Sequence, residues 1–372
     1  MGKQHKDCPN LRVHQQQLHK NTSLKYLGDI VHESGKVNIN LIERRAKAYA
    51  IFAEIRAILE DVPLGKYRVE VGLQLRQAMF INGVLFNSEV WHGLKPTDLD
   101  VLSVVDHQIL KYICKAHSKT PTEFVYLETG AIPLPFIVAS RRMIYLQNIL
   151  KRQPEELLRR VFEAQKTNPT HGDFIMLVKE DFAVMKIPYD ENAIIAMEET
   201  QYKEYIKKHV KETAFSHLKT IQGTHSKVNI IKYESFIVQP YLNNPNLTNI
   251  EVSQLIALRS HTLRGVKTNF SSWYKSDLSC PFKCVNSQDT QEHILLCKPL
   301  LDDLPQEKRD AALLLNYNDI YGNTNQQIDA VKVFSGLLES REELLQKAKS
   351  TSGLSLDAAP TGGISGLPSS LP

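Results

Sequence analysis

A mainly α-helical fold is what this sequence predicts, on three observations. Apolar residues recur at three- and four-residue spacing over long stretches. Gly, Pro and polar clusters cut those stretches into helix-sized pieces. Period-two alternation is confined to one segment, Leu24–His32 (LKYLGDIVH). With 372 residues, 42% of them hydrophobic and 23% charged, the chain has material for a sizeable core and for two or three domains.

Residues 1–22 are polar and basic with no apolar period, and a loose tail is expected. The 24–32 stretch reads as strand, with Glu33-Ser34-Gly35-Lys36 as a turn, so a short strand pair is expected near 24–38. Asn40 then stands where a helix cap belongs, ahead of a helix over 41–60 whose Ala48, Ile51, Phe52, Ile55, Ile58 and Leu59 share one face. Residues 67–91 are largely apolar and end at Trp91-His92-Gly93. Thr97 opens a helix to about Lys115, with Leu102, Val105, Ile109 and Tyr112 on one side.

Thr120 and Glu123 have capping-box spacing, although Pro121 between them allows a short loop instead. Gly130 and Pro133 break the chain before helices over about 135–152 and 155–166. Residues 167–190 are rich in breakers and read as an inter-domain connection. A long charged helix is expected over 191–219, and a capped one from Thr248 and Glu251 to about 260. Helices over 305–316 and 325–349 follow, and the Ser/Gly/Pro-rich stretch 350–372 is expected to be disordered. The implied divisions are 1–22, 23–166, 167–247, 248–349 and 350–372.

The net charge of +4 is small, so any phosphate-binding surface must be local. The first twenty residues carry no leader pattern, and no apolar run approaches the roughly 18 residues of a spanning helix. The expectation is an intracellular setting, in cytoplasm or nucleus, without a membrane anchor.

The strongest local signal is Cys280-Pro-Phe-Lys-Cys284 followed by His293-Ile-Leu-Leu-Cys297, a C-x3-C-x8-H-x3-C pattern. A short turn gathers two thiolates, and positions 293 and 297 fall on one side of a helix that Thr290 can cap, with Glu292 in its first turn. Three cysteines and a histidine within eighteen residues point to one Zn²⁺ in a closed tetrahedral site, which is structural because no position is left for water. Buried, inert cysteines are the plain alternative. Cys114 and His117 are three apart but lack two further ligands. His92 and His107 sit where packing explains them.

Several stretches together resemble the C-terminal half of non-LTR (LINE-type) retrotransposon reverse transcriptases. Tyr26-Leu27-Gly28 with Gly35 and the Ile42–Ala50 helix is similar to the passage from palm to thumb. Pro121-Thr122-Glu123, Leu127 to Gly130, Pro133 and Arg141 to Leu146 are similar to the tract after the thumb. Leu258-Arg259-Ser260-His261, the cysteines and Asp289-Thr290-Gln291-Glu292-His293 look like the terminal CCHC segment, although the family more often has two residues between the first cysteines. The resemblance covers about residues 24–340. It implies a thumb-like helical domain at 23–166, a basic helical connector at 167–247 and a zinc segment at 278–298. It also implies RNA or target DNA as partner, and an N-terminal polymerase portion outside this chain. The catalytic palm is expected to be missing: the Asp-Asp pair, Asp302-Asp303, lies in PLLDDLP with neither the aromatic residue nor the strand pattern of a polymerase motif.

Cations that suit a phosphate backbone are Arg44, Arg45 and Lys47 at the start of the first long helix, where positive charge opposes the macrodipole. Residues 201–232 hold seven lysines against two glutamates. Lys203, Lys207 and Lys211 form a stripe there, and Tyr202 and Tyr205 are placed to stack on bases. Lys283 and Lys298 flank the cysteine cluster. A solvated charged face is the plain alternative for each set. Two functions follow. One is a nucleic-acid-binding portion of a reverse transcriptase, inactive alone. The other is an element-derived remnant serving as a zinc-clipped protein-interaction scaffold, or without function. An endonuclease would need clustered acidic residues on strands after Cys297, and the sequence there reads as helix.

Overall fold

The computed structural model describes residues 12–13, 16–17, 22–26, 29–32, 38–64, 67–91, 93–94, 96–274 and 277–352. It is mainly helical, as the periodicity implies. Strand pairs β1 (Arg12–Val13) with β2 (Gln16–Gln17) and β3 (Ser23–Tyr26) with β4 (Asp29–His32) are both antiparallel. The expected strand pair therefore lies wholly inside 23–32, because Tyr26 pairs with Asp29. The turn expected at 33–36 lies outside the described residues, as does most of the expected N-terminal tail.

The chain groups into two compact units. One is drawn from residues 1–50, 81–103 and 134–207, the other from 51–80, 104–133 and 208–372.

Helix α1 (Asn38–Leu59) starts two residues before Asn40. Asn40 is therefore not the cap. Its buried amide oxygen accepts from Arg44 Nε at 3.1 Å within the helix. Ala48, Ile51, Phe52, Ile55 and Leu59 are buried as their spacing requires, while Ile58 is exposed. The apolar stretch 67–91 becomes α2 (Arg68–Leu75), a π-helical turn over Arg76–Ile81, α3 (Asn82–Val84) and a 3-10 turn over Ser88–Val90. A second 3-10 turn at Pro96–Leu99 leads into α4 (Asp100–Ile113), with Leu102, Val105 and Ile109 buried.

Thr120 does not cap the next helix, α5 (Thr122–Thr129): Pro121 stands at the cap, and the Thr120 hydroxyl meets that of Thr262 at 3.2 Å. Gly130 ends α5 in the left-handed region at φ 62°, and a Cβ there would come within 2.8 Å of the Ile237 backbone. Both constraints demand glycine.

In the first unit, α6 (Leu134–Leu150) packs against α7 (Leu157–Thr167), α8 (Phe174–Val184) and α9 (Glu191–Ala196). The 167–190 segment is thus not a plain connection, since it carries α8. Asp181 on α8 takes a two-pronged ion pair from Arg142, at 2.7 and 3.0 Å. The long charged helix expected over 191–219 is broken at Met197-Glu198, and the longer piece is α10 (Glu199–Thr224).

In the second unit, the Thr248–Glu251 capping box forms as its spacing predicts and opens α11 (Asn249–Arg259). A 3-10 turn at Lys267–Phe270 leads to α12 (Ser271–Tyr274). Then come α13 (Gln291–Leu296), α14 (Lys298–Asp303), α15 (Gln306–Leu314) and α16 (Thr324–Ser352). Helices α11 and α13–α15 pack on α16. Helix α16 runs past 350, where disorder was expected to start, and residues 353–372 lie outside the described residues.

Buried arginines hold this unit together. Arg68 donates to the carbonyls of Leu59, Val62, Tyr112 and Ile113, closing the C-terminal ends of α1 and α4, where positive charge is favourable. Arg76 grips Asp106 at 2.6 and 2.7 Å, and Tyr126 donates to the same carboxylate at 2.7 Å. Arg259 and Tyr233 converge on Glu128.

Candidate metal centre

Residues 277–298 build a hairpin followed by a helical turn. Ser279 bridges to Gln288, Cys280 N donates to Ser287 O at 2.9 Å, and Asp289 N donates to Leu278 O at 2.8 Å. The tip bends through two left-handed residues, Lys283 (φ 58°) and Asn286 (φ 51°). Thr290 caps α13 as its position implies, accepting from His293 N at 3.0 Å.

This geometry gathers the four expected ligands. One donor atom from each of Cys280, Cys284, His293 and Cys297 lies within 4.8 Å of the others, an arrangement that can hold a metal ion. The Cys297 sulfur is 3.9 Å from that of Cys280 and 3.8 Å from that of Cys284. Cys280 and Cys297 are buried. His293 Nε2 is also buried and has no hydrogen-bond partner. An imidazole nitrogen without a protein partner, beside three crowded sulfurs, is a donor set that fits a cation. Burial and the neighbouring sulfurs push the Cys297 thiol up to about 12 and raise the Cys284 thiol, while burial lowers His293. A cation reverses this preference by favouring thiolates.

The centre is anchored beneath by polar residues whose role the sequence did not reveal. Asp289 is fully buried. It accepts from Lys267 N at 2.9 Å and from Arg341 Nη2 at 2.9 Å on both oxygens. Gln291 donates to Leu258 O and accepts from Asn269 Nδ2 at 2.8 Å. Nothing in the local spacing pairs Asp289 with an arginine 52 residues later.

The cationic candidates separate. Arg44 is buried, donates to Val84 O at 2.6 Å and stacks on Trp91, with its guanidinium carbon 5.0 Å from the ring centroid. Its expected role at a phosphate is therefore corrected to a core role. Tyr202 is buried too, with its hydroxyl on Met143 O at 3.0 Å, so it offers no stacking face. Lys203 is half-buried and paired with Glu199. Arg45 and Lys47 are exposed, the latter reaching Gly83 O at 3.0 Å. Lys207, Lys211, Lys283 and Lys298 are exposed.

Cys114 is buried and is not one of the clustered residues, and burial pushes its thiol up to about 12. His107 packs edge-on against Tyr126, and His117 against Phe270. Asp302 and Asp303 close the short helix α14, with Asp302 3.9 Å from Arg309. Among the described residues, no helix is long and apolar enough to cross a membrane.

Comparison with known proteins returned no match to any family model, curated protein or solved structure.

Proposed function

We propose that Cys280, Cys284, His293 and Cys297 hold a structural Zn²⁺. In this reading the chain is a nucleic-acid-binding, zinc-clipped helical module of the kind found in the C-terminal portion of non-LTR retrotransposon reverse transcriptases. The observation that carries the zinc assignment is the sulfur spacing. A tetrahedron with Zn–S bonds of about 2.3 Å sets its sulfurs about 3.8 Å apart; here they are 3.8 and 3.9 Å apart. Three thiolates and one imidazole are a soft donor set that suits zinc and leaves no open position for substrate or water. The ion ties the 278–289 hairpin to α13 and the start of α14.

Nucleic-acid binding rests on the family resemblance and on exposed cations: Lys283 and Lys298 beside the metal, with Arg45, Lys47, Lys207 and Lys211 elsewhere. Polymerisation by this chain alone is not part of the reading, since Asp302 and Asp303 terminate a helix and, among the described residues, belong to no cluster of metal-ligating groups. The test measures zinc per chain by elemental analysis and RNA affinity as a function of salt. One zinc and a steep loss of affinity with salt are expected, because phosphate contacts release counterions.

The scaffold reading has one observation in its favour. The metal segment is fastened to its own unit by buried Asp289 and Gln291, as a purely structural clip would be. Retention of zinc with no measurable RNA binding supports that alternative.

A further inference from the structure

We propose that a cleft in the first compact unit is a binding site for single-stranded nucleic acid, with Phe86 as its stacking platform. The proposal rests on the nucleic-acid reading above and deepens it. The cleft has a volume of about 770 Å³, inside the range of roughly 300–1,000 Å³ found for ligand sites. One wall is the turn after the π-helix, residues 82–89, and the opposite walls come from α6, the turn before α7 and the first turn of α10.

Three observations select the ligand. First, Phe86 is 48% exposed, and it is the only exposed phenylalanine among the described residues. The next residue, Asn87, takes the left-handed conformation at φ 57°, which asparagine tolerates better than most residues. A ring held open at the edge of a polar cleft offers a face for a base, since every base has a π-face to stack. Second, the lining carries the amides of Asn82, Asn87 and Asn148, whereas Gln147 beneath them is buried and donates to Ile194 O and Met197 O. Amides present donors and acceptors together, which is how unpaired base edges are read.

Third, Arg141, Lys151, Arg152 and Lys203 bring positive charge to the same space, against Glu89, Glu156 and Glu199 in its lining. Arg152 is held by Glu156 at 2.8 Å and Lys203 by Glu199, in both cases as i,i+4 pairs at the surface. Such pairs contribute little stability, so a phosphate can displace the glutamate at small cost. Stacking face, amides and cations occupy one cleft. A duplex hides its base faces, so these features select a single strand.

The test is fluorescence anisotropy with labelled 12-nucleotide RNA, DNA of the same sequence, and the corresponding duplex, using the full zinc-loaded chain. Phe86→Leu keeps bulk but removes the π-face and should weaken single-strand binding about tenfold, whereas Phe86→Tyr should stay within about twofold of wild type. The Lys151→Glu/Lys203→Glu pair should weaken binding and lower the salt slope by about one to two. Lys308→Glu, on α15 and not among the cleft's lining residues, should change little. Circular dichroism and zinc content identical to wild type check that each variant is folded. The RNA and DNA strands tell whether the ribose hydroxyl is read. If the wild type binds RNA but the cleft variants bind as tightly, the cleft assignment is overturned while the nucleic-acid reading stands. Duplex binding that equals single-strand binding and falls with the same variants also overturns the cleft assignment. If the wild type binds no nucleic acid, both readings fall together.

Discussion

Arg341 Nη2 lies 2.9 Å from both carboxylate oxygens of Asp289, with only 6% and 0% of the two side chains exposed. This pair fastens the hairpin that carries Cys280 and Cys284 to the long helix α16, and its Asp289 stands four residues before His293 in the chain. Packing and a buried charge pair thus act on the same small segment that carries the candidate metal cluster.

Removing one member of that pair strands the other. Arg341→Met should destabilise the protein by about 3–5 kcal/mol, because Asp289 keeps its burial and loses its cation. Urea unfolding followed by circular dichroism reads the loss. The double variant Arg341→Met/Asp289→Asn should recover part of it, and equal losses in single and double variants contradict the account.

Metal content separates the ligands from the bystander cysteine. Cys297→Ser should release the metal and loosen 278–298, while α6–α9 and their buried residues stay folded. Cys114→Ser should leave one zinc per chain, and the Cys114 thiol, pushed up by burial to about 12, should react with alkylating reagents only on unfolding. Elemental analysis and thiol labelling decide. Zinc lost from Cys114→Ser counts against the site.

The knuckle tip should respond to backbone chemistry. Lys283 sits at φ 58°, a conformation that costs a side chain with a Cβ about 1 kcal/mol and costs glycine almost nothing. Lys283→Gly should raise stability by about that amount, or slightly less because the unfolded chain gains freedom. Lys283→Val should lower stability. Thermal unfolding at fixed zinc concentration is the measurement. If Lys283 also holds phosphate, both variants lose RNA affinity whatever their stability.

Arg44 and Arg45 should part company. Arg44→Ala removes hydrogen bonds to Asn40 and Val84 O and the stack on Trp91, and should cost about 2–4 kcal/mol. Arg45→Ala should cost little, since Arg45 is exposed. Chemical denaturation of the two variants side by side checks this. Equal stability would show that Arg44 is not the core residue described here.

Stability should fall as pH drops below histidine's ordinary 6.5. Burial lowers His261, whose Nε2 lies 3.0 Å from the Tyr321 hydroxyl, and burial with surrounding cations lowers His117. A depressed folded pKa means that the unfolded chain takes up the proton first. The stability these groups contribute is present above 6.5 and is lost as pH falls toward their folded values. The double variant His117→Gln/His261→Gln should flatten the profile between pH 7.5 and 6, measured by urea midpoint with zinc content tracked in parallel.

Much of the fold was legible locally. The apolar faces of α1 and α4, the Thr248–Glu251 box and the Thr290 cap are decided by neighbours three or four residues apart, which a sequence displays directly. The same locality made the candidate metal cluster readable, since its four residues lie within eighteen positions. Errors came where a residue's side chain found a partner other than the one its local pattern suggested. Asn40 has the chemistry of a cap, but helix α1 begins earlier and turns its amide to Arg44. Tyr202 looks like a stacking residue until Met143 takes its hydroxyl and the core takes its ring.

By itself, then, the sequence determined the helical class, most helix positions and the four-ligand cluster, because periodicity, capping and short-range chelation act within a few residues along the chain. Only the tertiary structure decided which charges are buried and which face water: Arg44 on Trp91, Arg142 on Asp181, Arg259 on Glu128 and Arg341 on Asp289. It alone gathered Phe86, the amides and four cations into one cleft. The physical reason is that burial and ion pairing depend on which distant segments pack together. An arginine that ends in a core and one that stays in solvent look alike in sequence.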